Sequence, residues 1–379
     1  MLQHQDIALS AAVMAHPRRR KAAYALRDAH PDLGLRVILD PDPEGPPATI
    51  RTARQAWGAV EEGATHHLVV QDDVELCDGF AAAVTQAIAS KPTSPLVLFT
   101  SWGSRTAQVV RLAALTGESW APVVDRFVPP VALVLPASEA RDFARYAETL
   151  DLTVTDGKAL TTFLTARGAD AYVSVPNLVE HDSEDSLMGH HIIMGTRRSA
   201  LFSAGADATR PMNSSVASVT TVPHLDGLSG QTVIHPCSTT SSEAVPPPAH
   251  NVLGQAGMTG PEITDLFLSD LRRSPSAGPS DSGFGHPFLF QLWLAMFAVG
   301  AQLPSALGDS SPGALETALE HPLSSLGFST FPSGVLCRIL PDQLLAKSAE
   351  QLLPLCVGGI RSGFAATSTW PRLNELLGR

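Results

Sequence analysis

Residues 66–80 read HHLVVQDDVELCDGF, and this stretch gives the strongest indication of the fold. The apolar run from His67 to Val70 predicts a strand buried in a sheet. Asp72 and Asp73 would then emerge at its carboxyl end, where open α/β sheets bind ligands. Together with Glu75, these hard carboxylates favour a site for Mg²⁺ or Mn²⁺. The alternative is that Asp72 begins a turn or caps the next helix, because aspartate is common at both positions.

The segments before this strand complete an alternating pattern of strands and helices. Strands are predicted over Ile7–Met14 and Leu35–Leu39, and a helix over Thr49–Glu62 leads into the acidic strand. Such an order is typical of parallel sheets that carry helices on their faces. We therefore expect an α/β fold with a mostly parallel sheet.

In this order of motifs the chain resembles the GT-A glycosyltransferases, and loosely their bacterial lipopolysaccharide branch. Gln71-Asp72-Asp73 occupies the place of the family's DxD-type acidic motif, with Gln where an acid is sometimes found. The resemblance continues through Val131–Pro136, VALVLP, and the helical Ser138–Glu148, and it ends with Val175–Gly189, VPNLVEHDSEDSLMG. It implies a GT-A-like, Rossmann-like sheet flanked by helices that binds a nucleotide sugar.

The resemblance also implies a role for each acid of the motif and for a distant histidine. Asp73 would bind Mn²⁺ or Mg²⁺, and Asp72 would contact the ribose or support the metal through water. His181 would close over the diphosphate as a metal ligand, a role that neutral imidazole can fill. The open alternatives are that His181 is a solvated or capping residue, or that the acids after it supply the ligand, namely Asp182, Glu184 and Asp185.

Two further positions are candidates for binding the donor. Arg18 and Arg19 begin a basic run after the first strand and could balance the charge of a diphosphate, although such runs are more often solvated helix faces. Asp40, at the end of the second predicted strand, could hydrogen-bond the nucleoside base or ribose. The alternative is a turn-forming aspartate, since Pro41 follows it.

Asp156 is the candidate catalytic base. It precedes a predicted helix over Ala159–Arg167, where the resemblance places an acid near the acceptor. A carboxylate there would take the proton of the acceptor hydroxyl in an inverting mechanism. The alternatives are an N-cap or turn before Gly157, and a retaining mechanism that needs no such base.

Charge and cysteine content limit the classes of binding partner and the cellular compartment that fit this chain. Subtracting 37 Asp+Glu from 26 Lys+Arg gives a net charge of −11, which opposes binding to a nucleic-acid backbone. A nucleotide-sugar donor and a small-molecule or glycan acceptor fit better. The four cysteines show neither a CxxC pair nor zinc-ligand spacing. Because no basic segment precedes the apolar Ile7–Ala15, we expect no signal peptide and a cytoplasmic protein.

Composition indicates a large core and two domains, since 44% of the residues are hydrophobic and 17% are charged. We expect a nucleotide-sugar-binding catalytic domain over 1–204. A Ser/Thr/Pro-rich linker or extended segment would span 205–282, and a smaller, mainly helical domain 283–379. Phe288–Gln302 approaches the ~20 apolar residues of a membrane span, but flanking prolines and Gln291 favour a buried helix. The last domain could cover the acceptor site, form a homo-oligomer or bind a partner protein.

The sequence thus predicts a metal-dependent glycosyltransferase, with alternatives from two other classes. A nucleotidyltransferase would use the same acidic strand but usually needs a glycine-rich loop after the first strand, whereas the first glycine here is Gly34. A catalytically silent scaffold or binding protein is the second alternative, because Gln71 and the single Asp156 reduce the acidic motifs of the family.

Overall fold

The computed structural model describes residues 7–181, 187, 189–205, 211–216, 219–237 and 245–378. In chain order its strands are β1 (Leu9–Ala15), β2 (Arg36–Leu39), β3 (His66–Gln71), β4 (Val74–Leu76), β5 (Leu96–Val97), β6 (Trp120–Pro122), β7 (Ala132–Pro136), β8 (Tyr172–Ser174), β9 (Val179–His181), β10 (Thr221–Asp226) and β11 (Gln231–Pro236). Three short 3₁₀ helices cover Pro17–Arg19, Pro31–Leu33 and Pro275–Ala277.

The α-helices account for most of the remaining chain. In chain order they are α1 (Arg20–Ala29), α2 (Thr49–Gly58), α3 (Phe80–Ser90), α4 (Arg105–Leu115), α5 (Ala137–Glu148), α6 (Asp156–Ala166), α7 (His190–Met194), α8 (Ala249–Gln255), α9 (Gly260–Arg273), α10 (Pro279–Ser282), α11 (His286–Leu307), α12 (Pro312–Glu320), α13 (Pro322–Ser329), α14 (Phe331–Leu336), α15 (Asp342–Ala366) and α16 (Arg372–Leu377).

A seven-stranded central sheet has the order β2-β1-β3-β7-β5-β8-β6. Five of its strands run in one direction, while β7 and β6 are antiparallel to their neighbours. This confirms the prediction of an α/β fold with a mostly parallel sheet, helices around it and a helical C-terminal region. The predicted strand Val131–Pro136 and helix Ser138–Glu148 correspond to β7 and α5.

Strand β3 lies in the middle of the core. His67 through Val70 are almost fully buried, because successive side chains point to opposite faces of the sheet and both faces are covered. Leu68 and Val70 belong to a cluster that includes Phe80 and Val84 of α3. His67 instead reaches the carbonyl of Ala56 in α2, on the other face. A continuous apolar run, rather than an alternating one, is what such a strand requires.

A second, two-stranded sheet lies just beyond β3. After Asp72 and Asp73 the chain continues into β4, which pairs antiparallel with β9. Val74 is opposite His181, Glu75 opposite Glu180 and Leu76 opposite Val179. This pairing brings the segment after β8 back to the acidic end of β3.

The chain divides into two compact units that differ from the predicted domains. The first unit comprises Met1–Thr100, Ser119–Gly189 and Phe202–Ser214, and it contains the central sheet. The second comprises Ser101–Glu118, His190–Leu201 and Ser215–Arg379. Helix α4 belongs to the second unit because it packs on β10 and α13, and ten of its eleven residues are buried.

The segment 205–282, predicted as a linker or extended chain, is largely folded where the structure describes it. It contains the β10–β11 hairpin, helices α8 to α10 and a 3₁₀ turn. Val222, Leu225 and Ile234 of the hairpin are buried. From Ser215 onward the segment therefore contributes folded elements to the second unit.

Helix α11 is the centre of the second unit. It packs against α15 so closely that a Cβ atom at Gly363 would collide with the carbonyl oxygen of Phe297. By length and composition it could cross a membrane, yet 78% of its most apolar window is buried inside the protein. A core helix passes the same test, and the prediction of a buried helix at Phe288–Gln302 agrees with this packing. A homo-oligomer formed through this region stays a prediction.

Candidate functional site

Polar side chains collect at the carboxyl edge of the three parallel strands β2, β1 and β3. His16 follows β1, Asp40 follows β2, and Asp72 comes directly after β3. Because the strands are parallel and adjacent, these three residues meet at one edge of the sheet. The backbone N–H of His16 donates to Asp72 Oδ2 at 3.0 Å, which fixes the acid against the end of β1.

Asp73 and His181, the two predicted metal ligands, lie together at this edge. His181 Nε2 is 3.6 Å from Asp73 Oδ2, and the two side chains are only 4% and 10% exposed. Pairing of β4 with β9 sets this distance, since His181 is opposite Val74, the neighbour of Asp73. The His181 ring also packs beside Phe99, with 5.8 Å between ring centroids.

Arg19 forms ion pairs with both Asp72 and Asp73, whereas its neighbour Arg18 is exposed. Arg19 Nη1 is 2.6 Å from Asp73 Oδ2 and 3.5 Å from Asp72 Oδ1. We expected both arginines to face a diphosphate. In this structure the guanidinium of Arg19 instead supplies positive charge to the carboxylates, because two buried acids side by side need a counter-ion.

Asp72 is held in an environment that favours its protonated form. Burial, and then the charge of Asp73, raise the pKa of Asp72 to about 6. The hydrogen bond from His16 and the charge of Arg19 act in the opposite direction but do not cancel the effect. A further positive charge at this edge would therefore favour the ionised carboxylate.

One oxygen of Asp73 bears on whether the site fits a cation. Asp73 Oδ1 is buried and accepts no hydrogen bond from any residue that the structure describes. Leaving a buried acceptor unsatisfied costs about 1–3 kcal/mol, more for a charged group, so such atoms are rare. A divalent cation suits this oxygen together with the imidazole of His181, because Mg²⁺ and Mn²⁺ take carboxylate ligands and imidazole can join them.

The protein by itself provides few ligands for such a cation. Within the described ranges, no group of three or more His, Cys, Asp or Glu side chains could hold a metal ion. Asp182, Glu184 and Asp185, the alternative ligands, lie outside the described residues. A cation on Asp73 and His181 would therefore take further ligands from water and phosphate, as Mg²⁺ commonly does.

Asp40 accepts hydrogen bonds from Arg51, a residue that the sequence did not indicate as part of the site. Arg51 in α2 donates from Nε to Asp40 Oδ1 at 2.7 Å and from Nη2 to Asp40 Oδ2 at 2.8 Å. This hydrogen bonding holds the pKa of Asp40 below its usual value. Arg51 also donates to the carbonyls of Asp42 and Pro46, so the pair fixes the loop between β2 and α2. Asp40 therefore makes a structural contact to Arg51 through both carboxylate oxygens, instead of presenting them to a ligand.

Asp156 is the first residue of α6 and is buried. Its backbone N–H donates to the hydroxyl of Thr49, the first residue of α2, at 3.1 Å. Helix α2 begins just after the loop that leaves the carboxyl end of β2, so Asp156 lies on the same side of the sheet as the two acids. It is not an N-cap as the alternative suggested, because the cap of α6 is Thr155.

His16 is the other residue that sequence reasoning missed. Its Nδ1 accepts the backbone N–H of Arg18 at 3.1 Å, which caps the 3₁₀ turn Pro17–Arg19 and holds Arg19 towards the acids. The sequence signal for this capping role is the position of His16 directly before Pro17. Proline is favoured at the first helical position, so the residue before it is a potential cap.

Asp72, Asp73, His16, His181 and Arg19 form a compact group at the carboxyl edge of the α/β sheet. The acids and the imidazole of His181 can hold a cation, and the arginine can bind an anionic group. No known family model matches this chain, and no curated protein matches it either.

Proposed function

We propose that this protein is a metal-dependent glycosyltransferase that transfers a sugar from a nucleotide-sugar donor to a nucleophile of a natural product or glycan. The observation that carries the proposal is the contact of Asp73 with His181, beside Asp72 and Arg19, at the carboxyl edge of the sheet. A nucleoside diphosphate with a divalent cation matches this mixture of carboxylates, imidazole and guanidinium. The resemblance to GT-A enzymes supports the same assignment.

Each residue of the group has a role in this proposal. Asp73 and His181 hold the metal, and Asp72 supports it through water or contacts the ribose. When bound, Mg²⁺ or Mn²⁺ stabilises the negative charge that develops on the departing nucleoside diphosphate. Arg19 and the exposed Arg18 add positive charge for the same phosphates, and a guanidinium can donate two parallel hydrogen bonds to them.

Asp156 is the proposed general base. In an inverting reaction its carboxylate takes the proton of the acceptor hydroxyl as that oxygen attacks the anomeric carbon. The bond between that carbon and the diphosphate oxygen breaks on the opposite face. Its position at the start of α6, on the same side of the sheet as Asp73, supports this role. NMR of the product's anomeric configuration distinguishes inversion from retention.

A thermal-shift screen tests the donor class. The protein is titrated with UDP, GDP, ADP, CDP and the corresponding nucleotide sugars in Mn²⁺, in Mg²⁺ and in EDTA. A ligand at 100 times its dissociation constant adds ~2.7 kcal/mol to the free energy of unfolding, which is readily seen. We expect one nucleoside to stabilise the protein, and only with the metal. Asp73→Asn abolishes this shift, whereas Asp78→Asn, at an exposed acid nearby, preserves it.

A catalytically silent scaffold is the second candidate, and one observation favours it. Arg19 already neutralises part of the charge on Asp72 and Asp73, as it would in a domain that binds no metal. Absence of a metal-dependent shift with any nucleotide, in folded protein, would favour this candidate. Stabilisation by nucleoside triphosphates alone would favour a nucleotidyltransferase instead.

A further inference from the structure

We infer that Arg19 is a displaceable internal cation, which occupies the acids before the metal binds and moves onto the donor's diphosphate afterwards. This inference rests on the proposed function and adds an order of events to it. It concerns the residue that makes the shortest ion-pair contact at the site, at 2.6 Å from Asp73 Oδ2.

The contacts of Asp73 Oδ2 show why Arg19 and a metal compete. The same oxygen is 2.6 Å from Arg19 Nη1 and 3.6 Å from His181 Nε2. A metal shared by Asp73 and His181 would therefore lie beside the guanidinium. Two cations at such a distance repel each other, and the repulsion is strong because these side chains are about nine-tenths buried.

Asp73 Oδ1 gives an independent reason to expect another cation. Although Arg19 contacts Oδ2, the buried Oδ1 has no hydrogen-bond donor within the part of the chain that the structure describes. Arg19 thus satisfies only one side of this carboxylate. A metal on the remaining oxygen would still lie next to the guanidinium, because both oxygens belong to one carboxylate.

The place of Arg19 in the chain allows it to change partners. It ends the 3₁₀ turn, where its backbone N–H donates to the carbonyl of His16 at 2.8 Å, so the turn holds the backbone through main-chain atoms and not through the guanidinium. An arginine side chain has several rotatable bonds, so its guanidinium can move without a change in the backbone. A phosphate suits this group as well as a carboxylate does, since both accept bidentate hydrogen bonds.

Mn²⁺ binding in the absence of nucleotide provides the test, because it needs no turnover. Electron paramagnetic resonance of free Mn²⁺ measures the dissociation constant at pH 8 for wild type and Arg19→Gln. We expect Arg19→Gln to bind Mn²⁺ about tenfold tighter, the effect of removing one charge-assisted contact from the carboxylates. Arg20→Gln removes the same charge from an exposed neighbour and leaves the affinity within about twofold, as expected for a screened charge.

The second measurement is nucleoside diphosphate binding in saturating Mn²⁺, by calorimetry with the diphosphate that the screen selects. Here Arg19→Gln binds about tenfold more weakly than wild type, because the contact to phosphate is lost. Opposite changes in the two affinities are the signature of a residue that changes partners. A residue that merely supports the fold would weaken both.

The outcomes separate this inference from the proposed function. If Asp73→Asn abolishes Mn²⁺ binding but Arg19→Gln does not tighten it, the inference is overturned and the metal site stands. If neither wild type nor Arg19→Gln binds Mn²⁺ without nucleotide but wild type still shows the metal-dependent nucleotide shift, the inference is overturned and the proposed function stands. If that shift is absent as well, both are overturned. Arg19→Lys provides a second variant should Arg19→Gln fold poorly, and we expect tighter Mn²⁺ binding than wild type because one ammonium cannot span both acids.

Discussion

His181 Nε2 lies 3.6 Å from Asp73 Oδ2 because β4 and β9 pair with His181 opposite Val74. The acids at the end of β3 are thereby joined to a histidine that follows them at a long distance in the chain. The proposed cation site at this edge would depend on this antiparallel pairing as much as on the acidic motif.

Replacing His181 with Gln should weaken metal binding while the fold persists. Loss of groups that merely support metal ligands costs 10–100-fold in affinity, so loss of a direct ligand should cost at least about tenfold. Mn²⁺-dependent binding of the nucleoside diphosphate measures this effect. His286→Ala, at an exposed histidine in α11, is the control. Equal affinities for His181→Gln and wild type would remove His181 from the site.

Asp156→Asn should lower turnover without a matching loss of donor affinity. General base catalysis contributes about 10²–10⁴-fold, and an amide cannot accept the proton. The measurements are kcat with the acceptor and the dissociation constant of the donor diphosphate. Asp170→Asn provides a carboxylate control elsewhere in the same unit. A variant with full turnover would show that the base is another group or that the enzyme is retaining.

Glu75→Lys should stabilise the protein. Glu75 and Glu180 are directly opposite each other in the β4–β9 pair, where like charges are unfavourable. Exchanging one for lysine creates an opposite-charge pair, worth about 0.2–1 kcal/mol in the free energy of unfolding. Chemical denaturation measures the change, and Glu62→Lys, which alters the net charge equally at an exposed site, is the control. A destabilised Glu75→Lys would mean that the two strands do not pair in this register.

His67 should make stability depend on pH. It is fully buried, its Nε2 faces the carbonyl of Ala56 at 2.9 Å, and its Nδ1 lies 2.7 Å from the hydroxyl of Ser10. Burial lowers the pKa of His67 to about 4. The unfolded chain, with an ordinary histidine pKa, therefore binds a proton as pH falls below 6.5 while the folded protein does not. Stability is lost on acidification through the window from 6.5 to about 4.

His67→Gln provides the comparison, because glutamine has no proton to gain in this range. The stability advantage of wild type over His67→Gln should shrink by about 2 kcal/mol between pH 7.5 and pH 5, from the linkage of proton binding to unfolding. Chemical denaturation at both pH values measures it, with His286→Gln as the histidine control. An advantage that stays constant would show that His67 takes up a proton in the folded state.

Much of the sheet could be predicted from sequence because its strands are continuous apolar runs. β3 and β7 have such runs, and helix α5 begins directly after β7. β4 and β9 have three residues each, and their pairing is a contact between distant segments. Local patterns specify which residues favour a strand, but only tertiary packing selects the partner of so short a strand.

The partners of the charged residues were the least predictable part of the site. The sequence indicated acids at the ends of β2 and β3 and a basic run after β1, yet Arg51 pairs with Asp40 and Arg19 with Asp72 and Asp73. Several pairings satisfy charge neutrality equally well. Backbone geometry decides among them, since His16 turns the chain so that Arg19, not Arg18, faces the acids.

The sequence of the β10–β11 hairpin contains a strand pattern that is hard to recognise within a Ser/Thr/Pro-rich segment. In β11 buried and partly exposed residues alternate, with Thr232 and Ile234 buried, which is the period of a strand. Gly230, with φ 64°, lies in the turn between the strands, where glycine is favoured. Ser, Thr and Pro are common in linkers, but β-branched Thr also favours strands, so their abundance alone does not distinguish the two.

The pairing of β4 with β9 also imposes an order on folding. A chain synthesised only as far as β7 already contains Asp72 and Asp73, but not the strand that carries His181. Closing that long loop costs conformational entropy, so contacts of this kind form slowly compared with local ones. The acids and the histidine come together only when β9 docks. Formation of the contact between Asp73 and His181 during refolding would therefore report the docking of β9 rather than the formation of the acidic strand.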